Sequence, residues 1–124
     1  MKKITLSFKG KELILAPPKS LATCMDFTSC WGEDQNRAKL SRLCAAAIGV
    51  SCPAGHGLPK YSIIEADPYS YGHGCLDALL EGFISPVKIY EVGYQLLAAM
   101  LARIPSDEEV KKAVNFTEEK EAST

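Results

Sequence analysis

This sequence lacks long apolar runs, any strong net charge and phosphate-loop glycines. The longest apolar helix candidate, Leu96 to Ile104, falls far short of the roughly 20 residues that a membrane span needs. The formal net charge is only -1, so the basic excess of a dedicated nucleic-acid binder is missing. Basic residues do not cluster with aromatics as single-strand binding requires. Neither Gly-x-x-x-x-Gly-Lys-Ser/Thr nor Gly-x-Gly-x-x-Gly occurs, which removes the usual nucleotide loops. There is no internal repeat. A Met-Lys-Lys start carries the charge of a secretory leader. The stretch that follows, Ile4 to Phe8, is short and alternating, and Lys9 and Lys11 interrupt it. A cytoplasmic location with reduced thiols is therefore the expectation. Partners expected on these grounds exclude nucleic acid and membrane.

What is present describes one globular domain. The chain has 124 residues, 47% apolar and 23% charged, enough to bury a real core without disulfides. We expect that domain to span 1–116, with a flexible charged tail at 117–124. Charge is uneven along the chain. Residues 1–12 carry Lys2, Lys3, Lys9 and Lys11 against Glu12. Residues 106–124 carry six acids against Lys111, Lys112 and Lys120. A basic head and an acidic tail can steer association within a molecule or between copies, so a homo-oligomer is one expected outcome.

The predicted architecture is α+β, mainly α: an N-terminal β-hairpin packed on a small bundle of four to five helices. Ile4, Leu6 and Phe8 alternate with Thr5 and Ser7, and Glu12 to Leu15 is the second strand. Gly10 suits the tight turn between them, beside Lys9 or Lys11. Ser20 caps a short helix through Met25 and Phe27, and Thr28 to Gly32 reads as a break. The next helix is predicted from Asp34 to Ile48. Leu40, Leu43, Cys44, Ala47 and Ile48 form its apolar stripe, with Gly49 as C-cap. Glycine and proline make 49–62 a loop, and 61–66 a short extended segment. Asp67-Pro68 starts a third helix, weakened by Gly72 and Gly74 and firm from Cys75 to Phe83. Ser85-Pro86 opens the clearest helix, with Val87, Tyr90, Tyr94, Leu97 and Leu101 on one face. Gly93 within it marks a close helix crossing. Pro105 closes it, and Ser106 with Glu109 forms a capping box before a last helix to Phe116.

Five cysteines invite a chemical reading. Cys52 and His56, with His73 and Cys75, are thiol–imidazole pairs that four-coordinate zinc would accept. Their spacing matches no usual zinc pattern, so a zinc-stabilised adaptor stays an alternative and no metal or cofactor is expected. The same two pairs are the sequence-near candidates for a small cysteine-dependent enzyme. No nucleophile motif surrounds them, and no catalytic residue is assigned. Cys44 and Cys75 fall on apolar helix faces and read as core. Asp77 and Glu81 read as a solvated helix face. Five tyrosines between residues 61 and 94 favour a protein-binding surface instead.

One run of features resembles a known family. It comprises the alanine-rich helix from Arg37 to Gly49, Tyr71-Gly72 leading into Leu76 to Gly82, and Ile89 to Gly93 leading into Leu96-Leu97. Over roughly residues 37–104 this resembles the tail assembly chaperones of long-tailed bacteriophages. The Cys52 to Pro59 loop has no counterpart in that pattern. The resemblance implies a non-enzymatic protein that coats the tape-measure protein, keeps it soluble and helps recruit tail-tube subunits. It implies a partner surface on segment 69–81 and helix 86–104. The expected partner-binding residues are Tyr71, Tyr90, Tyr94, Leu97 and Leu101.

Overall fold

A computed structural model describes residues 3–31, 36–53, 56–62 and 67–122, with side chains through Asn115. Strands β1 (Ile4–Phe8) and β2 (Lys11–Leu15) pair antiparallel, with Leu6 opposite Leu13 and Ile4 opposite Leu15. The turn residues Lys9 and Gly10 have φ of 49° and 78°. Two consecutive positive φ values are what a two-residue hairpin turn of right-handed twist requires. Strand alternation then buries Leu6, Phe8, Leu13 and Leu15 and leaves Ser7, Glu12 and Ile14 exposed.

Helices α1 (Leu21–Cys30), α2 (Arg37–Ser51), α3 (Pro68–Glu81), α4 (Pro86–Ala102) and α5 (Asp107–Ala122) follow among the described residues. The fold is thus α+β and mainly α, as the sequence predicts. Side-chain caps set four of the starts. Ser20, Asn36, Asp67 and Ser85 each accept from the backbone N–H three residues on. The Ser106 hydroxyl likewise accepts from Glu109 N–H at 3.2 Å, and Glu109 reaches back toward Ser106 N–H at 3.4 Å. That is the expected capping box.

Helix α2 is the hub and packs on both α3 and α4. Its six residues from Leu43 to Ile48 are all fully buried, so even the alanines serve as contact surface. Two glycines let the neighbours approach. A Cβ on Gly72 of α3 would lie 2.6 Å from the Arg42 carbonyl carbon. A Cβ on Gly93 of α4 would lie 2.6 Å from Cys44 Cα. Both glycines therefore meet α2 backbone, one from each side, and Gly93 marks a close crossing as predicted. Cys24, Cys44 and Cys75 are fully buried, and none of the five cysteines forms a disulfide. The hairpin closes one end of the helices: Phe8 packs under Gly82, where a Cβ would come 2.9 Å from Phe8 Cδ2. At the end of α4, Arg103 donates to the carbonyls of Pro18 and Lys19 (2.9 Å to Lys19), tying the β2–α1 link to the helices.

Several boundaries differ from the sequence-based expectation. The break placed at Thr28 to Gly32 does not begin until Trp31, and Gly32 lies outside the described residues. Thr28, Ser29 and Cys30 turn their side chains back onto the carbonyls of Cys24 and Asp26 and so continue α1. Helix α2 does not stop at Ile48. It passes through Gly49 to Ser51, because that glycine sits where Tyr71 Oη would be 2.7 Å from a Cβ. Its predicted start at Asp34 is also outside the described residues, and Asn36 is the cap. Helix α3 is continuous across Gly72 and Gly74 and ends at Glu81 rather than Phe83. Residues 61 and 62 form no strand, and 63–66 lie outside the described residues. Helix α5 runs on to Ala122, so the stretch from 117 to 122 is helical.

Candidate functional site

Two regions invite a functional reading. The first lies on the outer side of α4 and the corner before it. The inward stripe of α4 is Ile89, Val92, Gly93, Leu96, Leu97 and Met100, all buried. Spacing of three and four residues also aligns Val87, Tyr90, Tyr94 and Leu101 on a flank turned away from the core. Val87, Tyr94 and Leu101 are 66%, 53% and 51% exposed. At 1.5 Å per residue this second stripe runs roughly 20 Å along the helix. Tyr94 packs edge-on against Trp31 with centroids 4.8 Å apart, and Tyr90 Oη donates to the Arg37 carbonyl at 3.1 Å. One border of the stripe is thus pinned to the ends of α1 and α2.

Phe83 stands at the α3–α4 corner, four residues before Val87. The corner is a Schellman motif. Phe83 N–H donates to the Leu80 carbonyl and Ile84 N–H to the Leu79 carbonyl, each at 3.0 Å. The residue after the C-cap in this motif is left-handed and is usually glycine. Here it is Phe83, with φ of 64° and a side chain 95% exposed. A left-handed conformation costs a bulky residue about 1–2 kcal/mol. An exposed ring repays none of that by burial. Leu80, three residues earlier, is also exposed.

The second region is a cleft of about 770 Å³ between the end of α2, the 56–62 loop and the start of α3. Cys52, His56, Leu58, Lys60, Tyr61 and Tyr71 are among its lining residues. Tyr71 Oη donates to the Pro59 carbonyl at 2.5 Å and holds the loop against α3. Phe27, Tyr61 and Tyr71 follow one another edge-to-face, with centroids 5.1 and 5.0 Å apart. Burial pushes the Cys52 thiol up to about 11 and the Cys75 thiol up to about 12. Burial, then the nearby Cys75 charge, raises the Tyr71 hydroxyl as well. A nucleophilic cysteine needs the opposite shift, toward the thiolate at neutral pH. Nor do the four zinc candidates meet. His73 is exposed on α3, 3.7 Å from Asp77, while Cys75 points into the core two residues on. Among the described residues no group of three or more His, Cys, Asp or Glu could hold a metal ion.

The expected partner-binding residues therefore separate. Tyr94 and Leu101 are exposed, Tyr90 is half-buried, and Tyr71 and Leu97 belong to the core. Tyr71 is held in by the Pro59 bond, and Leu97 by its place on the inward side of α4. Phe83 and Val87 complete the exposed surface, with half-buried Trp31 at its border. Of these, Phe83 had a sequence signal: an aromatic directly after a helix-ending glycine and two residues before the next helix cap. No helix of the described residues is long and apolar enough to cross a membrane. In comparisons with known protein families, curated proteins and solved structures, nothing matches this chain, so the functional reading rests on its own residues and geometry.

Proposed function

We propose that the chain is a non-enzymatic protein-binding module that shields apolar helices of a partner, acting as a tail assembly chaperone on a tape-measure protein. The observation that carries this reading is Phe83: a fully presented ring on left-handed backbone, continued along α4 by Val87, Tyr94 and Leu101. Strain held at an exposed position suits a contact made by something else. An apolar stripe roughly 20 Å long suits one face of a partner helix. Large exposed aromatics are the residues that most often anchor interfaces. The resemblance over residues 37–104 supplies the kind of partner, a long chain whose apolar helices must stay soluble until tail-tube subunits arrive. A cytoplasmic site of action fits that role.

The test is co-expression with a fragment of a phage tape-measure protein. The native chain is expected to keep the fragment soluble. Phe83→Gly and the pair Val87→Ser with Leu101→Ser are expected to lose that effect while remaining folded. A fragment that stays insoluble with the native chain, or stays soluble with both variants, would overturn the reading.

A further inference from the structure

The cleft between the end of α2, the 56–62 loop and α3 holds polar groups that the fold leaves unused. Thr23 of α1 is only 5% exposed and lines this cleft. Its backbone N–H is bonded to Ser20 Oγ, yet its hydroxyl makes no hydrogen bond within the described chain. A buried hydroxyl without a partner is destabilising and uncommon. The Ser51 hydroxyl, also unpartnered, is sealed from solvent; that of Thr23 is not, and the cleft is the opening beside it. Half-buried Tyr61 and His56 line the same space, and neither side chain is hydrogen-bonded within the described chain. A phenol hydroxyl and an imidazole can each donate and accept.

The remaining walls are apolar, with Pro18, Val50, Leu58 and Pro59 among them. Phe27, Tyr61 and Tyr71 already stand edge-to-face, and a further ring can join such a series in the same geometry. Charge around the cleft is mixed. Lys60 lines it, whereas Asp26 and Asp67 lie near enough to Tyr61 to raise its hydroxyl, together with Cys30 and after burial as the larger cause. Tyr61 therefore stays a hydrogen-bond donor. A charged ligand would lose its hydration and meet charges of both signs; a neutral one avoids that cost. The volume of about 770 Å³ falls in the range of small-molecule sites, roughly 300–1,000 Å³.

We propose that this cleft is a binding site for a small, neutral aromatic molecule carrying a hydrogen-bonding group, with the ring among the apolar walls and the polar group on the Thr23 hydroxyl. The site is separate from Phe83 and the outer stripe of α4. It therefore stands whether or not that stripe binds a partner helix.

Nuclear magnetic resonance titration of the ¹⁵N-labelled full chain tests it. Three probes share a ring and differ in charge: neutral 4-hydroxybenzamide, anionic 4-hydroxybenzoate and cationic 4-hydroxybenzylammonium. A fourth, cyclohexanecarboxamide, keeps the amide without the aromatic ring. The neutral aromatic probe is expected to give saturable shifts at the amides of Thr23, Leu58, Tyr61 and Tyr71, with a Kd of about 1 mM or tighter. The other three are expected to bind at least about fivefold more weakly. Thr23→Val keeps the side-chain shape and removes the hydroxyl. It is expected to weaken 4-hydroxybenzamide about five- to tenfold. Its thermal midpoint without probe should not fall, because no hydrogen bond of the fold is lost. Four results would overturn the proposal. They are no saturable shift at these amides up to about 20 mM neutral probe, equal binding of any comparison probe, native affinity in Thr23→Val, or a lowered midpoint in that variant.

Discussion

Both sides of α4 carry apolar side chains and use them differently. Inside, Gly93 touches the backbone of α2, and Leu96, Leu97 and Met100 are fully buried. Outside, Val87, Tyr94 and Leu101 stand half in water with Phe83 beyond them. The inner side is specified by shape, since backbone meets backbone and no atom can be added. The outer side is specified by chemistry alone, and among the described residues only Trp31 is seen to pack on it, edge-on to Tyr94. The fold thus uses one side of this helix and leaves the other open to solvent.

The sharpest way to break that contrast is substitution on the inner side. Gly93→Ala puts a methyl into the Cys44 backbone and is expected to lower unfolding free energy by about 3 kcal/mol, the upper end for overpacking. Leu96→Ala should cost a similar ~3 kcal/mol through the cavity it leaves. Urea midpoints at constant m-value would show both.

The second expected effect is alkaline. Burial raises Cys44 to about 11 and Cys75 to about 12 from an ordinary 9.0. The folded state therefore keeps protons that the unfolded chain releases. Their contribution is intact below pH 9 and is lost as pH rises through 11 to 12. Each of these two thiols should steepen the fall by at most ~1.4 kcal/mol per pH unit above 9. Urea melts at pH 8, 9 and 10 would reveal the slope, and Cys44→Ala should reduce it.

The outer side should respond in the other direction. Phe83→Gly is expected to raise stability by about 1 kcal/mol, since glycine tolerates the left-handed corner. A thermal midpoint that falls instead would mean the ring has an internal contact after all. Smallest of all is Leu101→Ser, expected to change stability by less than about 0.5 kcal/mol, as exposed positions do. A large loss there would erase the distinction between the two sides.

Much of this was legible residue by residue. The alternation of Ile4 to Phe8 and the glycine at position 10 placed the hairpin. Ser20, Asp67, Ser85 and Ser106 announced helix starts that the structure contains. Cys44 and Cys75 read correctly as core. The outer stripe of α4 was visible as a stripe, yet Leu97 on it turns inward with Gly93, Leu96 and Met100, on the side that packs on α2. Tyr71 looked like surface for a related reason: its hydroxyl bond to Pro59 joins residues twelve apart in a loop that no periodicity describes. The cleft could be suspected only from Cys52 and His56. Its walls come from Pro18, Thr23 and Tyr71 as well, which meet only in the fold.

Local chemistry explains where the sequence alone sufficed. A cap, a two-residue turn or a capping box is a bond between residues at most four apart, so its ingredients lie side by side in the chain. The glycines mark where it did not suffice. Gly49, Gly72 and Gly93 read as a stop, a weakness and a crossing. Only the tertiary structure showed all three inside unbroken helices, each missing a side chain where a neighbour comes closest. Propensity disfavours glycine in a helix by about 1 kcal/mol. Contact with another helix can outweigh that, and that contact is a property of the folded chain.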